Sequence, residues 1–202
     1  MSDAKVYVVD DDASFLLAVS RLLRLSGFQV VDCDSGHAFL ALLEPATAGC
    51  VVADLQMPCM DGMALQAALQ HADNPLPIIF LTGQGDIPTS VRAMRLGAED
   101  FLTKDAPKEE LLGAVRRALA RDAQERASRA HLAALRQRFQ PLSAREIEVL
   151  RHVVRGRLNK QIADDLGIHE RTVKLHRTAI TTKLGVHSVA ELTKLWLEAE
   201  GF

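Results

Sequence analysis

Five polar side chains close short apolar runs in the first half of this chain, and their types suit one chemistry. Asp10 and Asp11 follow the run Val6–Val9, Asp54 ends Gly49–Ala53, Thr82 ends Pro77–Leu81, and Lys104 follows Asp100–Leu102. Several carboxylates brought together repel one another unless a cation offsets them. Hard oxygen ligands with open positions suit magnesium, which takes few protein ligands and keeps waters. With Mg2+ and Lys104 drawing charge from an incoming phosphoryl group, Asp54 could attack phosphorus in line and become an acyl phosphate, while Thr82 hydrogen-bonds a phosphoryl oxygen. The competing explanation is that each carboxylate caps the helix after its strand, since Asp is a favoured N-cap residue. Asp12 is read as such a cap and nothing more; for the other five side chains, coincidence of position and chemical class makes capping the poorer account.

These ends meet only if the runs lie side by side. The apolar runs, with Phe28–Cys33 as the second of the five, are short and β-rich, and each is separated from the next by a longer stretch of helical periodicity. Phe15, Leu16, Val19, Leu22, Leu23 and Leu25 give the first helix, which Gly27 stops; later helices are placed near 36–43, 61–71, 86–96 and from Pro107 onward. Strand–helix alternation of this kind predicts an α/β fold with a five-stranded, doubly wound parallel sheet. In such sheets ligands sit outside the carboxyl ends of the strands, where the five polar residues lie.

The first 122 residues resemble the receiver domain of two-component response regulators, a flavodoxin-like fold. The residues that carry the likeness are the acidic pair Asp10 and Asp11, Asp54 within Val51-Val52-Ala53-Asp54-Leu55-Gln56-Met57-Pro58, Thr82, Phe101 and Lys104. The run Leu81-Thr82-Gly83-Gln84-Gly85-Asp86-Ile87-Pro88 resembles the FixJ branch. The resemblance implies that Asp54 is the phosphoacceptor, Thr82 and Phe101 the switch residues and Lys104 the conserved lysine of the family. It also implies Mg2+ held by Asp11, Asp54 and the backbone carbonyl of Gln56, with Asp10 acting through water. One departure stands out: the family usually has proline after the lysine, whereas here Lys104 is followed by Asp105-Ala106-Pro107. No cis peptide is expected there, and the extra charge puts the loop geometry and the lifetime of the phosphoryl group in question.

Composition agrees with a globular protein, with 48% hydrophobic and 25% charged residues among 202. No apolar run approaches the ~18 residues that span a bilayer, and Met1-Ser2-Asp3 lacks the start of a signal peptide. Cys33, Cys50 and Cys59 have no CxxC spacing, which suits a reducing compartment and small core residues; a cytoplasmic location is expected. The net charge of -2 hides an asymmetry: residues 1–122 carry 10 basic and 17 acidic side chains, 123–140 four and one, and 141–202 10 and eight. An anionic partner for the second half and a cation for the first follow from that division. Between them, residues 123–140 read as a helical linker whose arginines are a solvated face, or approach DNA, or pair with a second copy; the solvated spacer is the simplest reading.

Beyond Pro141 the strands disappear and four helical segments follow, near 143–155, 159–166, 170–184 and 188–199. Ser143-Ala144-Arg145-Glu146 is a capping box, and Gly156, Gly167 and Gly185 end successive helices. The break Gly167-Ile168-His169 gives the tight turn of a helix-turn-helix, with the third helix of this half entering the groove. Val173, Ile180 and Leu184 share its inner face, leaving Arg171, Thr172, Lys174, Leu175, His176, Arg177 and Thr178 partly outward. Arginine and lysine can reach guanine edges, while Asn159, Lys160 and Thr172 suit phosphate oxygens. A solvated helix face would explain these residues if the helix stood alone. Leu142-Ser143, Arg145-Glu146, Glu148-Val149-Leu150, Asn159-Lys160-Gln161-Ile162-Ala163, Arg171-Thr172-Val173-Lys174-Leu175-His176 and Lys183-Leu184-Gly185-Val186 together resemble the LuxR-type DNA-binding domain over 141–202. Val189, Leu192, Leu195 and Trp196 are similar to the segment that pairs two such domains, though core packing explains some of them equally well.

Taken together the two resemblances imply a transcription regulator of the NarL/FixJ type, not an enzyme. A sensor histidine kinase would phosphorylate Asp54, Thr82 and Phe101 would rearrange, and a homodimer would bind promoter DNA, with RNA polymerase as a further partner. Two alternatives stand beside it. One is a DNA binder that is never phosphorylated, which the Lys104-Asp105 departure keeps open. The other is a magnesium-dependent phosphatase of the haloacid dehalogenase type, which the order of the acidic residues disfavours.

Overall fold

The computed structural model describes residues 4–72, 75–83 and 87–200, the side chain of Glu200 excepted. Contacts divide the chain into two compact units, one ending at Arg126 and the other beginning at Ala127.

The first unit alternates β1 (Lys5–Val9), α1 (Ala13–Leu25), β2 (Gln29–Cys33), α2 (Gly36–Leu40), β3 (Gly49–Asp54), α3 (Gly62–Gln70), β4 (Ile78–Thr82), α4 (Ile87–Arg95) and β5 (Asp100–Thr103). The strands form one parallel sheet in the order β2-β1-β3-β4-β5, as the alternation predicts. Side chains alternate between its faces. Tyr7, Val9, Val51, Ala53, Ile78 and Phe80 join Phe39, Leu65 and Leu69 from α2 and α3 in one core. Val6, Val8, Cys50, Val52, Ile79 and Leu81 join Val19 and Leu23 of α1 with Leu111 and Val115 in the other. Because both faces are covered, β3 and β4 are buried along their whole length. Leu25, counted among the apolar residues of α1, points outward with 80% exposure, since it lies past the last core-facing turn.

A single helix, α5 (Lys108–Arg138), contributes to both units. In the first, Leu111, Ala114, Val115 and Ala118 are buried against the sheet. There Asp122 is 1% exposed, accepting the Gly49 N–H at 3.0 Å and pairing with Arg126 at 2.8 Å. In the second unit, Leu135 and Phe139 are core residues.

That unit holds α6 (Ala144–Val154), α7 (Asn159–Leu166), α8 (Glu170–Leu184) and α9 (Val189–Glu200). The capping box at Ser143 and Glu146 opens α6. Gly167 and Gly185 end α7 and α8 in the left-handed region, at φ 62° and 65°, where a Cβ would be strained. Arg138 donates to the Leu184 carbonyl at 2.9 Å and Arg136 to the Ala199 carbonyl at 3.3 Å. The solvated-spacer reading of the linker is corrected at these positions, because two of its arginines satisfy the carbonyls that helices leave unpaired at their carboxyl ends. No helix among the described residues is long and apolar enough to cross a membrane.

Candidate functional site

Parallel pairing brings the carboxyl ends of β1, β3, β4 and β5 to one edge, with Val9 opposite Ala53, Asp54 opposite Leu81 and Thr82 opposite Thr103. Asp10 is 2% exposed, and Asp54 8%. Lys104 Nζ reaches both, at 2.7 Å from Asp10 Oδ2 and 3.0 Å from Asp54 Oδ2. Asp11 is exposed, and oxygens of Asp10, Asp11 and Asp54 all lie within 4.8 Å of one another. The Asp12 carboxylate accepts from the N–H groups of Ser14 and Phe15, which is the helix cap expected of it. Thr82 is buried at the end of β4, and its carbonyl accepts the Lys104 N–H at 2.8 Å. Phe101 is half-buried on β5, its ring 6.1 Å from that of Phe80. Gln56 is exposed in the loop after β3, its N–H 3.3 Å from Asp54 Oδ1. Of the FixJ-like run, Gln84, Gly85 and Asp86 lie outside the described residues.

Burial raises the pKa of the Asp10 carboxyl, and the Asp54 charge adds to that; the bonds from Lys104 and the Asp12 N–H offset only part of it. Burial by itself would lower that of Lys104, but its bonds to Asp10 and Asp54 outweigh it and the ammonium is held charged. Asp10 and Asp54 thus share one ammonium, and the Asp11 carboxylate lies beside them. An all-oxygen donor set with a surplus of negative charge and one exposed ligand fits a hard divalent cation that keeps water.

Two features were missed at the level of sequence. Gly62 opens α3 directly beneath the site: a Cβ there would lie 2.6 Å from the Asp54 carbonyl oxygen and 2.8 Å from the Phe80 ring. A glycine in the first turn of a helix was the available signal. The Lys104 ammonium also lies over the Phe15 ring, 4.3 Å from its centroid. Fifteen and 104 are far apart in sequence, so nothing in the pattern announced that contact. Cys33 and Cys50 are buried core thiols, and burial pushes the Cys33 pKa up to about 11; Cys59 is exposed.

In the second unit Val173, Ile180 and Leu184 are buried on α8, leaving Arg171, Lys174, Leu175 and Thr178 exposed and Thr172, His176 and Arg177 half-buried. Lys160 is exposed on α7. Two residues expected to face outward meet each other, since Arg177 donates to Asn159 Oδ1 at 2.9 Å. Lys174 pairs with Glu170 at 3.4 Å, and the Thr178 hydroxyl donates to the Lys174 carbonyl at 3.1 Å. Behind this face, Glu146 accepts from Lys183 at 2.9 and 2.7 Å, tying the start of α6 to the end of α8.

An acidic pocket with a lysine at the carboxyl edge of a five-stranded parallel sheet, followed by a helix-turn-helix, defines a receiver joined to a DNA-binding domain. A family model of the response regulator receiver domain matches residues 6–116, and one of bacterial regulatory proteins of the luxR family matches 140–196. The response regulator protein TodT of Pseudomonas putida is 42% identical over 197 residues, covering 96% of this chain and 87% of that protein. The transcriptional regulatory protein FixJ of Rhizobium meliloti is 37% identical over 202 residues, 100% of this chain and 98% of that one. Among solved structures, the response regulator StyR has a TM-score of 0.80 at 43% identity, covering 96% of this chain and 98% of its own. Full-length FixJ from B. japonicum has a TM-score of 0.59 at 35% identity, covering 99% and 98%. This chain belongs to the response regulators of the NarL/FixJ family, and is a two-component transcription regulator built from a receiver and a LuxR-type DNA-binding domain.

Proposed function

We propose that Asp54 is the phosphoacceptor, charged by a sensor histidine kinase, and that its phosphorylation controls dimeric binding to promoter DNA in the cytoplasm. The observation that carries this reading is the Lys104 ammonium bridging Asp10 and Asp54 beside exposed Asp11. Asp11, Asp54 and the Gln56 carbonyl would hold Mg2+, with Asp10 acting through water. Bound there, the cation would neutralise charge on the transferring phosphoryl group. An Asp54 oxygen forms the new bond to phosphorus as the bond to the donor's leaving group breaks. Lys104 holds a phosphoryl oxygen, and Thr82 donates its hydroxyl to another.

Readout follows from the next layer. Phe101 lines a cavity of about 520 Å³ with Ser90, Val91, Met94, Arg95 and Asp100, on a face where Ile87 is 79% and Met94 45% exposed. Reorientation of Thr82 and Phe101 would remodel that apolar face, which is where a second receiver would pack. The paired second domains, aided by exposed Val189 and Leu197 of α9, would then read two half-sites, with RNA polymerase as the downstream partner. Arg171, Lys174, Leu175, His176 and Thr178 would face the groove. Lys160 and Thr172, and Asn159 with Arg177 braced against it, would meet the backbone. In this scheme residues 1–122 are the receiver, 123–140 the linker and 141–202 the DNA-binding domain, and the chain turns over no substrate.

The test is intact-protein mass after incubation with acetyl phosphate and Mg2+, comparing the native chain with Asp54→Ala. A magnesium-dependent phosphate adduct lost in the variant supports the switch. An intact fold with no adduct favours the second reading, a regulator that works unphosphorylated, for which Asp105 beside Lys104 is the motivating feature.

A further inference from the structure

We propose that Phe15 is a positioning residue for phosphoryl transfer, its ring face holding the Lys104 ammonium at the acceptor carboxylate. This rests on the reading of Asp54 as phosphoacceptor.

The Lys104 side chain keeps 21% of its surface and, among the described residues, has three partners: Asp10 at 2.7 Å, Asp54 at 3.0 Å and the Phe15 ring at 4.3 Å. The partners differ in kind. The two carboxylates attract any cation, so a metal held by them competes with the lysine for their charge, and Asp54 is no longer a carboxylate once it becomes an acyl phosphate, its charge moving to the phosphoryl oxygens. The attraction of an aromatic face for an ammonium depends on neither. It also offers no acceptor lone pair, so it leaves the ammonium's N–H donors free to turn to a phosphoryl oxygen. Phe15 is therefore the partner that persists through the reaction.

The position of the ring is itself well determined. Asp12 caps α1 by accepting the Phe15 N–H at 3.2 Å, and the side chain packs against the core formed by α1, the sheet and α5. A leucine at 15 could keep that packing and would lose only the π face. Plain core filling is thus the rival account, and it predicts no sensitivity to the electronics of the ring.

The test uses full-length protein with Phe15 replaced by 4-fluoro-, 3,5-difluoro- or 3,4,5-trifluorophenylalanine, and by F15L and F15W. The fluorinated rings keep shape and apolar packing while withdrawing negative charge from the face. Adduct formation from acetyl phosphate with Mg2+ is timed by intact mass, and the Lys104 ε-proton shifts are read by NMR in metal-free protein. The expected result is a stepwise fall in rate with fluorination, reaching about two- to fivefold, the same loss in F15L and recovery in F15W. The ε-protons should be shifted upfield by the ring current in the native chain and not in F15L. Equal rates across the fluorinated series, or ε-proton shifts unchanged by F15L, overturn the inference. Asp54→Ala run alongside separates the two levels: an adduct confined to Asp54 with a flat series removes only the role of Phe15, whereas no adduct on the native chain, or one that survives in Asp54→Ala, removes both.

Discussion

Replacing Glu146 by glutamine should uncouple α6 from α8 while leaving the local cap in place. Glu146 is 5% exposed, accepts the Ser143 N–H at 2.7 Å and receives Lys183 at 2.9 and 2.7 Å. The Lys183 bond, then the Ser143 N–H, hold its carboxyl below the ordinary glutamate range against the opposing effect of burial. Glutamine keeps an acceptor for Ser143 but loses the charge. Hydrogen bonds to charged groups contribute ~1.5–3 kcal/mol. The Lys183 side chain is 38% exposed and recovers hydration when released, so the expected loss is about 1–2 kcal/mol. Trp196 is the chain's single tryptophan and stacks edge-on against Phe139 at 5.4 Å, so urea unfolding followed by its fluorescence reports the C-terminal unit. With a slope of about 1–2 kcal/mol per molar for a unit of this size, the midpoint should fall by roughly 1 M. The pH dependence has a definite sign. A depressed folded pKa gives stability that is complete above the ordinary value near 4.5 and is lost as pH falls through the folded value. The gap between native and Gln chains should therefore be full at neutral pH and shrink in acid. Equal midpoints at neutral pH, or a gap that does not shrink in acid, would refute the reasoning.

Other perturbations reach the remaining parts of the molecule. Gly62→Ala places a Cβ against the Asp54 carbonyl oxygen at 2.6 Å; backbone cannot yield as a side-chain tip does, so a loss of ~1–3 kcal/mol is expected. Slower adduct formation at Asp54 should accompany it, and an unchanged thermal midpoint by circular dichroism would contradict the steric argument. Asp122→Ala leaves the buried Gly49 N–H without its acceptor and releases Arg126, with an expected cost of about 2–3 kcal/mol and faster hydrogen exchange at the Gly49 amide. Exchange as slow as in the native chain would show that the amide finds another partner. At the DNA face, Lys160→Ala should lower the slope of log affinity against log salt by about 1, whereas Thr178→Ala should leave it unchanged, since a neutral hydroxyl releases no counterion. Equal slopes for native and Lys160→Ala would place that lysine away from phosphate.

How much of this was legible in the sequence depended on the range of the physics involved. The sheet could be read because each strand is a short β-rich run and parallel strands need a long crossover, so alternation alone constrains the topology. The site could be read for the same reason: once the strands are parallel, Asp10, Asp54, Thr82 and Lys104 share an edge without further information. Helix ends were equally accessible, since Ser143 with Glu146 and the glycines at 167 and 185 act on their own neighbours. Side-chain partners across the fold were not. Glu146 reads as a cap residue, and nothing local shows that it also holds Lys183 thirty-seven positions away. Arg136 and Arg138 read as charges on a solvated helix, because the carbonyls they satisfy belong to helices that end at 184 and 200. Asp122, buried beneath the amino end of β3, reads as one more acid on a polar helix. Each of these couples a charge to a helix end, an N–H group or another charge far along the chain. The tertiary fold decides such pairings after composition and period have been satisfied. Phe15 belongs to the same group: its period places it in the core, and only the return of β5 beside β4 sets an ammonium over its ring.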